Sequence, residues 1–236
     1  MKYLKLLITL LITLIISLIV IFIVVRKNRI KIGIHTVCIL KENIPFLREW
    51  IQYHIDLGID KIFIYDNTGS IGCDGSNKNN NKYNINFNEI IKLNDDEIKK
   101  EMAEIIKEYN GKVYYDIWQP RNENNEIIYG QNESIYDYIN KYGTLTDYTA
   151  FIDIDEFIVI PNNNLKKFIN KHPNTTKFIL KQKKFQDRYC YIDNNVLKID
   201  DTIANIDTTN WANKLIVNNK VVDHNINNNI HSINVI

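Results

Sequence analysis

Apolar residues recur along this chain at two periods, and the places where one period gives way to the other predict its elements. Residues 32–40 are rich in β-branched and apolar side chains and predict a buried first strand. Asn43-Ile-Pro45 predicts a helix start. Phe46, Leu47, Trp50, Ile51, His54, Ile55 and Leu57 then follow at helical spacing as far as Gly58, a residue suited to a carboxyl-terminal cap. Residues 61–65 predict a second strand that runs into the polar loop 66–70, which completes a strand, helix, strand unit.

Residues 72–88 hold little but glycine, asparagine, lysine and isolated apolar positions, the composition of a surface excursion. Over 95–109, Ile98, Met102, Ile105 and Ile106 share one helical face; Gly111 follows as a stop and residues 113–118 as a third strand. A further helix is predicted over 131–142, ended by Gly143, and a fourth strand over 148–154. After Pro161 the regularity weakens to a short helix at 165–171 and strands at 177–181 and 214–217, which suit antiparallel pairing. The alternation predicts an α/β fold with a mainly parallel sheet flanked by helices. Ligands of such sheets sit beyond the carboxyl ends of the strands, where Asp66, Asp153 and Asp155 fall.

Residues 6–25 are apolar except for Thr9, Thr13 and Ser17. A helix of that length reaches roughly 30 Å, enough to span a hydrocarbon core. The stretch is longer than a signal-peptide core and no small-x-small cleavage site follows it, so a single-pass amino-terminal anchor is expected rather than a cleaved leader. The expected organisation is an anchor with its basic flank over 1–31 and one catalytic domain over 32–236. Lys2 and Lys5 precede the span while Arg26, Lys27, Arg29 and Lys31 follow it, which favours a cytosolic domain. Glycosylation acceptor patterns at Asn132 and Asn174 suit a lumenal one. The side of the membrane stays open.

Composition narrows the function. The 45% hydrophobic and 24% charged residues are those of a packed globular protein, and a formal charge of +1 provides no field that would recruit nucleic acid. Cys38, Cys73 and Cys190 have neither zinc-site spacing nor the density of a disulfide scaffold, so they are expected to be plain thiols. The asparagine runs are compositional.

The chemistry concentrates in Phe151-Ile-Asp-Ile-Asp-Glu-Phe157. On a strand, Asp153 and Asp155 would project from one side while Ile152 and Ile154 face the other. Two converging carboxylates need protons or a cation to persist. Oxygen ligands that leave positions for water and phosphate suit Mn2+ or Mg2+ rather than zinc. A metal bridging a diphosphate would stabilise the charge that builds on a departing nucleotide diphosphate during sugar transfer. The bland alternative is a solvated acidic strand end, against which the apolar flanks argue. An aspartyl phosphatase would carry its Asp-x-Asp pair on the first strand, without Glu156 and Phe157 after it. Nucleotidyl transfer would need a glycine-rich loop where residues 41–45 contain no glycine.

Several segments together resemble the glycosyltransferase family 92 pattern: Lys41-Glu-Asn43, Phe46-Leu-Arg-Glu-Trp50, His54, Leu57-Gly58, Ile62-Phe-Ile-Tyr-Asp-Asn67 with Ser70, then Gln131, Asp137 and Asp153-Ile-Asp-Glu-Phe157. The resemblance implies a GT-A (Rossmann-like) fold and an inverting transfer from a nucleotide-sugar donor, often UDP-galactose, to a glycan or protein-linked acceptor. It also implies donor contacts by Asp66, Asn67 and Asp153, metal ligation by Asp153 and Asp155, and support of that pair by Glu156; Lys41, expected in the first loop past a strand where a pyrophosphate passes, is a further donor contact. Trp211, Lys214 and His231 match a late tryptophan, basic residue and histidine of that pattern. By that likeness His231 completes the metal's ligands, with His224 as an alternative. Trp50 is expected to be a core anchor and His54 a structural hydrogen-bonder.

Inverting transfer needs a base for the acceptor hydroxyl. Asp187, just past the strand at 177–181, is the candidate, with Asp200 and Asp201 as substitutes. Gln186 stands where the family pattern has a glycine, and this motivates the alternative of an inactive, membrane-tethered glycan-binding or scaffolding descendant.

Overall fold

The computed structural model describes residues 3, 8, 10–17, 19, 29–70, 94–182, 184–186, 190–193, 196–199, 205–207, 213–222 and 233. The chain divides into two compact units, Met1–Ile30 and Lys31–Ile236. In the first, residues 10–17 are helical, and Leu10, Leu11 and Leu14 are each more than half exposed. Among the described residues no helix is long and apolar enough to cross a membrane. The expected span, 6–25, lies partly outside them.

The second unit runs β1 (Ile32–Cys38), α1 (Leu40–Leu57), β2 (Lys61–Asp66), α2 (Asp95–Glu108), β3 (Val113–Ile117), α3 (Gln131–Tyr142), β4 (Tyr148–Phe151), α4 (Leu165–Asn170) and β5 (Lys177–Leu180). Four short strands follow, β6 (Lys184–Gln186), β7 (Cys190–Asp193), β8 (Val196–Ile199) and β9 (Asn205–Asp207), and then β10 (Lys214–Asn218). Six strands form one sheet in the order β3-β2-β1-β4-β10-β5. β1 pairs in parallel with β2 and β4, and β2 with β3, whereas β10 is antiparallel to both β4 and β5. The mainly parallel sheet with late antiparallel strands is the arrangement expected from the alternation.

The chain moves outward from β1 to β3 and then returns to place β4 on the other side of β1. Right-handed crossovers in opposite directions put α1 and α3 on opposite faces of the sheet. All seven residues of β1 are accordingly buried. One face packs Val37, Phe63, Tyr65, Phe151 and Leu215 against Ile135, Tyr138 and Ile139 of α3. Burial of these aromatic and aliphatic groups contributes roughly 1.5–3 kcal/mol per side chain before entropy is charged against it. The reversal between β1 and β4 is a topological switch point, the position at which ligands of open α/β sheets generally sit.

Two boundaries differ from expectation. α1 begins at Leu40 rather than Asn43, and Pro45 lies inside it. The earlier start is supported from outside the helix, because Asp66 Oδ1, at the end of β2, accepts Leu40 N at 3.2 Å. Such a cap across the fold leaves no mark in the local sequence. β4 ends at Phe151, three residues before the predicted end. Elsewhere local chemistry suffices: Gly58 ends α1 at φ 112°, in the left-handed region, and Asn94 and Glu97 form a capping box at the start of α2.

Candidate functional site

The acidic segment is a turn rather than a strand end. Glu156 N donates to Asp153 O at 3.1 Å, and Asp153 N donates back to Glu156 Oε2 at 2.9 Å. Strand alternation therefore does not bring Asp153 and Asp155 together as expected. Ile152 and Ile154 are buried, Asp153 is half-buried and Asp155 is exposed. The turn holds because its two isoleucines sink into the core while its own glutamate satisfies a backbone donor.

Lys214 of β10 reaches into this turn. Its Nζ lies 2.5 Å from Asp153 Oδ2 and 3.4 Å from Glu156 Oε2, with only 8% of the side chain exposed. A buried ammonium needs such partners, since burial of an unpaired charge is costly. Gln131, the first residue of α3, donates to Asp153 Oδ1 at 3.1 Å, and Gln182 donates to Glu156 Oε1 at 2.8 Å. Burial raises the Glu156 carboxyl above its ordinary range, and Lys214 opposes the shift.

On the α1 side, the chain just after the turn is gripped at three points. Trp50 Nε1 donates to Glu156 O at 2.8 Å, Tyr53 Oη donates to Ile158 O at 2.9 Å, and Ile158 N donates to His54 Nε2 at 3.4 Å. His54 Nδ1 lies 2.8 Å from Trp50 O. Because Nε2 accepts, Nδ1 carries the proton and the ring is neutral. Burial holds its pKa down at about 4. Trp50 and His54 are thus the core anchor and structural hydrogen-bonder expected of them, and both are fully buried.

The expected donor contacts are arranged differently from one another. Lys41 is half-buried in the first turn of α1. Asp66 is 7% exposed, and its carboxylate accepts Leu40 N, Thr68 N, Thr68 Oγ1 and Tyr115 Oη. Asn67 is wholly buried and ties the loop after β3 to the end of β2 by donating to Trp118 O and Ile128 O. Asp187, His231, His224, Trp211, Asp200 and Asp201 lie outside the described residues. Among the described residues no group of three or more histidine, cysteine or acidic side chains forms a metal-binding cluster. Asp153 and Asp155 are carboxylates, hard oxygen donors of the kind that suits Mg2+ or Mn2+, and both oxygens of Asp153 are already engaged, by Gln131 and Lys214.

Sequence reasoning met Lys214 and Gln131 only through a resemblance and missed Gln182 altogether. The one local signal was a lysine opening the apolar strand Lys214-Leu-Ile-Val217. Its carboxylate partners lie about sixty positions away.

A segment of 52 residues is 44% identical to "Glycosyltransferase family 92 protein At1g27200" of Arabidopsis thaliana; it covers 20% of this chain and 9% of that protein. Residues 91–235, which include the acidic turn, Gln131 and Lys214, match the sequence model of glycosyltransferase family 92, and the chain belongs to that family.

Proposed function

We propose that this chain is a GT-A glycosyltransferase that moves a hexose, galactose in the first instance, from a nucleotide diphosphate sugar to a glycan or protein-linked acceptor with inversion. The observation that carries this reading is the acidic turn: Asp153 and Asp155 stand at the switch point between β1 and β4, beyond the carboxyl ends of the parallel strands. Family membership supports sugar transfer, and UDP-galactose is the donor to test first.

Asp153 and Asp155, with His231 as a third ligand, hold Mn2+ or Mg2+ in this reading. Such an ion, when bound, supplies positive charge to the departing nucleotide diphosphate. The chain's own groups do the rest. Lys214 offsets the charge of Asp153 and Glu156, so the turn can receive a diphosphate without the full repulsion of three carboxylates. Asp66 serves the nucleoside end of the donor in this reading, Lys41 its pyrophosphate and Asn67 supports the donor site, while Asp187 accepts the acceptor hydroxyl's proton as the oxygen attacks. Residues 6–25 anchor the domain in a membrane, with the side left to experiment.

The test is a panel of nucleotide sugars incubated with the full chain and Mn2+, with release of nucleotide diphosphate as the readout. Turnover of UDP-galactose above the other donors is the expected result. No turnover with any donor overturns the reading and favours the inactive glycan-binding alternative. Protease protection on intact membranes assigns the side.

A further inference from the structure

The three side chains on one stretch of α1 that meet the acidic segment do so through its backbone. Trp50, Tyr53 and His54 reach Glu156 O, Ile158 O and Ile158 N. These groups lie beyond β4, which ends at Phe151, so the sheet ladder does not satisfy them. Phe157, between the two gripped residues, lies with its ring 5.0 Å from that of Tyr53, edge-on, and 5.8 Å from that of His54, stacked. The grip therefore brackets one residue on both sides and falls directly after the turn that carries Asp153 and Asp155.

We propose that Trp50, Tyr53 and His54 are positioning residues for the acidic turn, setting its backbone so that Asp153 and Asp155 meet the donor diphosphate in a fixed geometry. The proposal rests on the donor-site reading above and deepens it. The physical case is that the restraints on the turn itself and those on the chain leaving it come from different parts of the fold. The Asp153–Glu156 hydrogen bonds close it internally, and Lys214, Gln131 and Gln182 engage its side chains. Among the described residues, it is the α1 contacts that fix its exit backbone to a long element. Outer groups that orient ligands carry a large share of a site's affinity, and their loss typically lowers binding or activity on the order of 10-fold to 100-fold. His54 contributes only while neutral, because a proton on Nε2 would face the Ile158 N–H and remove the acceptor.

The experiment compares the full chain with its Tyr53→Phe and Trp50→Phe variants by hydrogen exchange of the 153–158 amides and by equilibrium binding of UDP with Mn2+. Tyr53→Phe removes one hydroxyl and keeps the ring, so it tests the grip if Trp50→Phe fails to fold. The expected result is faster exchange across 153–158, unchanged exchange in β1 and β2, and UDP–Mn2+ binding weakened on the order of 10-fold or more. Unchanged exchange in a folded variant overturns the proposal, and so does faster exchange with unchanged binding. If the wild-type chain binds no nucleotide, the donor-site reading fails and the positioning role with it, whereas the exchange data still report on the grip itself.

Discussion

Lys214 Nζ stands 2.5 Å from Asp153 Oδ2, linking β10 to the turn beyond β4 across the edge between the sheet's parallel and antiparallel parts. The pair does two things at once. It seats a buried ammonium, and it holds in place a carboxylate that the functional reading assigns to the donor.

Lys214→Met is expected to destabilise the fold by about 3 kcal/mol, because removing one partner leaves Asp153 and Glu156 facing each other without their cation. Denaturant unfolding measures the loss. Adding Glu156→Gln to Lys214→Met should recover part of it; full additivity of the two losses would show that the charges are not coupled.

Asp155→Ala is expected to cost no more than about 1 kcal/mol of stability, the range of a solvent-exposed charge interaction. Sugar transfer should nevertheless fall on the order of 100-fold, about 3 kcal/mol of lost charge stabilisation. Undiminished turnover would remove Asp155 from the site.

Asp66→Asn tests whether a residue assigned to the donor also holds the fold. Its carboxylate accepts four donors from Leu40, Thr68 and Tyr115, and an amide turns one of its two acceptor atoms into a donor facing them. A loss of about 2 kcal/mol in thermal or chemical unfolding is expected. Wild-type stability with weakened UDP binding would instead assign the carboxylate wholly to the donor.

Acid should weaken the fold well above the carboxylate range. Burial lowers His54 to about 4 and His35 to about 3, while both titrate near 6.5 when unfolded. Between those values the unfolded chain binds more protons. The stability is therefore fully present above about pH 6.5 and declines as pH falls towards 4 and 3. Between pH 7 and 5 the loss should be on the order of 2 kcal/mol per histidine, read from urea midpoints at the two pH values. A flat profile would mean that neither ring is held neutral.

Gly130→Ala should disturb the start of α3, which carries Gln131. Gly130 has φ 56°, and an added Cβ would lie 2.5 Å from Pro120 Cγ and 3.3 Å from Trp118 Nε1. The left-handed backbone alone costs roughly 1–2 kcal/mol with a side chain, and the contact with the Pro120 ring adds to it. A lowered melting temperature checks the prediction.

Much of this was determined by the sequence itself. As far as residue 181, element types and order followed from periodicity, because burial of one helical face or both strand faces is written in which positions are apolar; the four short strands between 184 and 207 carry no such pattern and were not predicted. Gly58 ended α1 and Asn94 with Glu97 began α2 through contacts a few residues apart, which local chemistry encodes. The weight placed on Asp153, Asp155 and Glu156 also came from the sequence, since three acids between buried isoleucines demand an explanation.

The tertiary structure alone decided how those acids stand. Strand alternation mispredicted the segment, because a reciprocal Asp153–Glu156 bond turns the chain where the ladder ends. The partners of the turn come from α1, α3, β10 and the residues after β5, separated in sequence by 22 to 106 positions. Neither periodicity nor motif spacing carries information over such distances. Only the pairing order of the sheet, which puts β4 beside both β1 and β10, brings Lys214 and Trp50 to the same few residues.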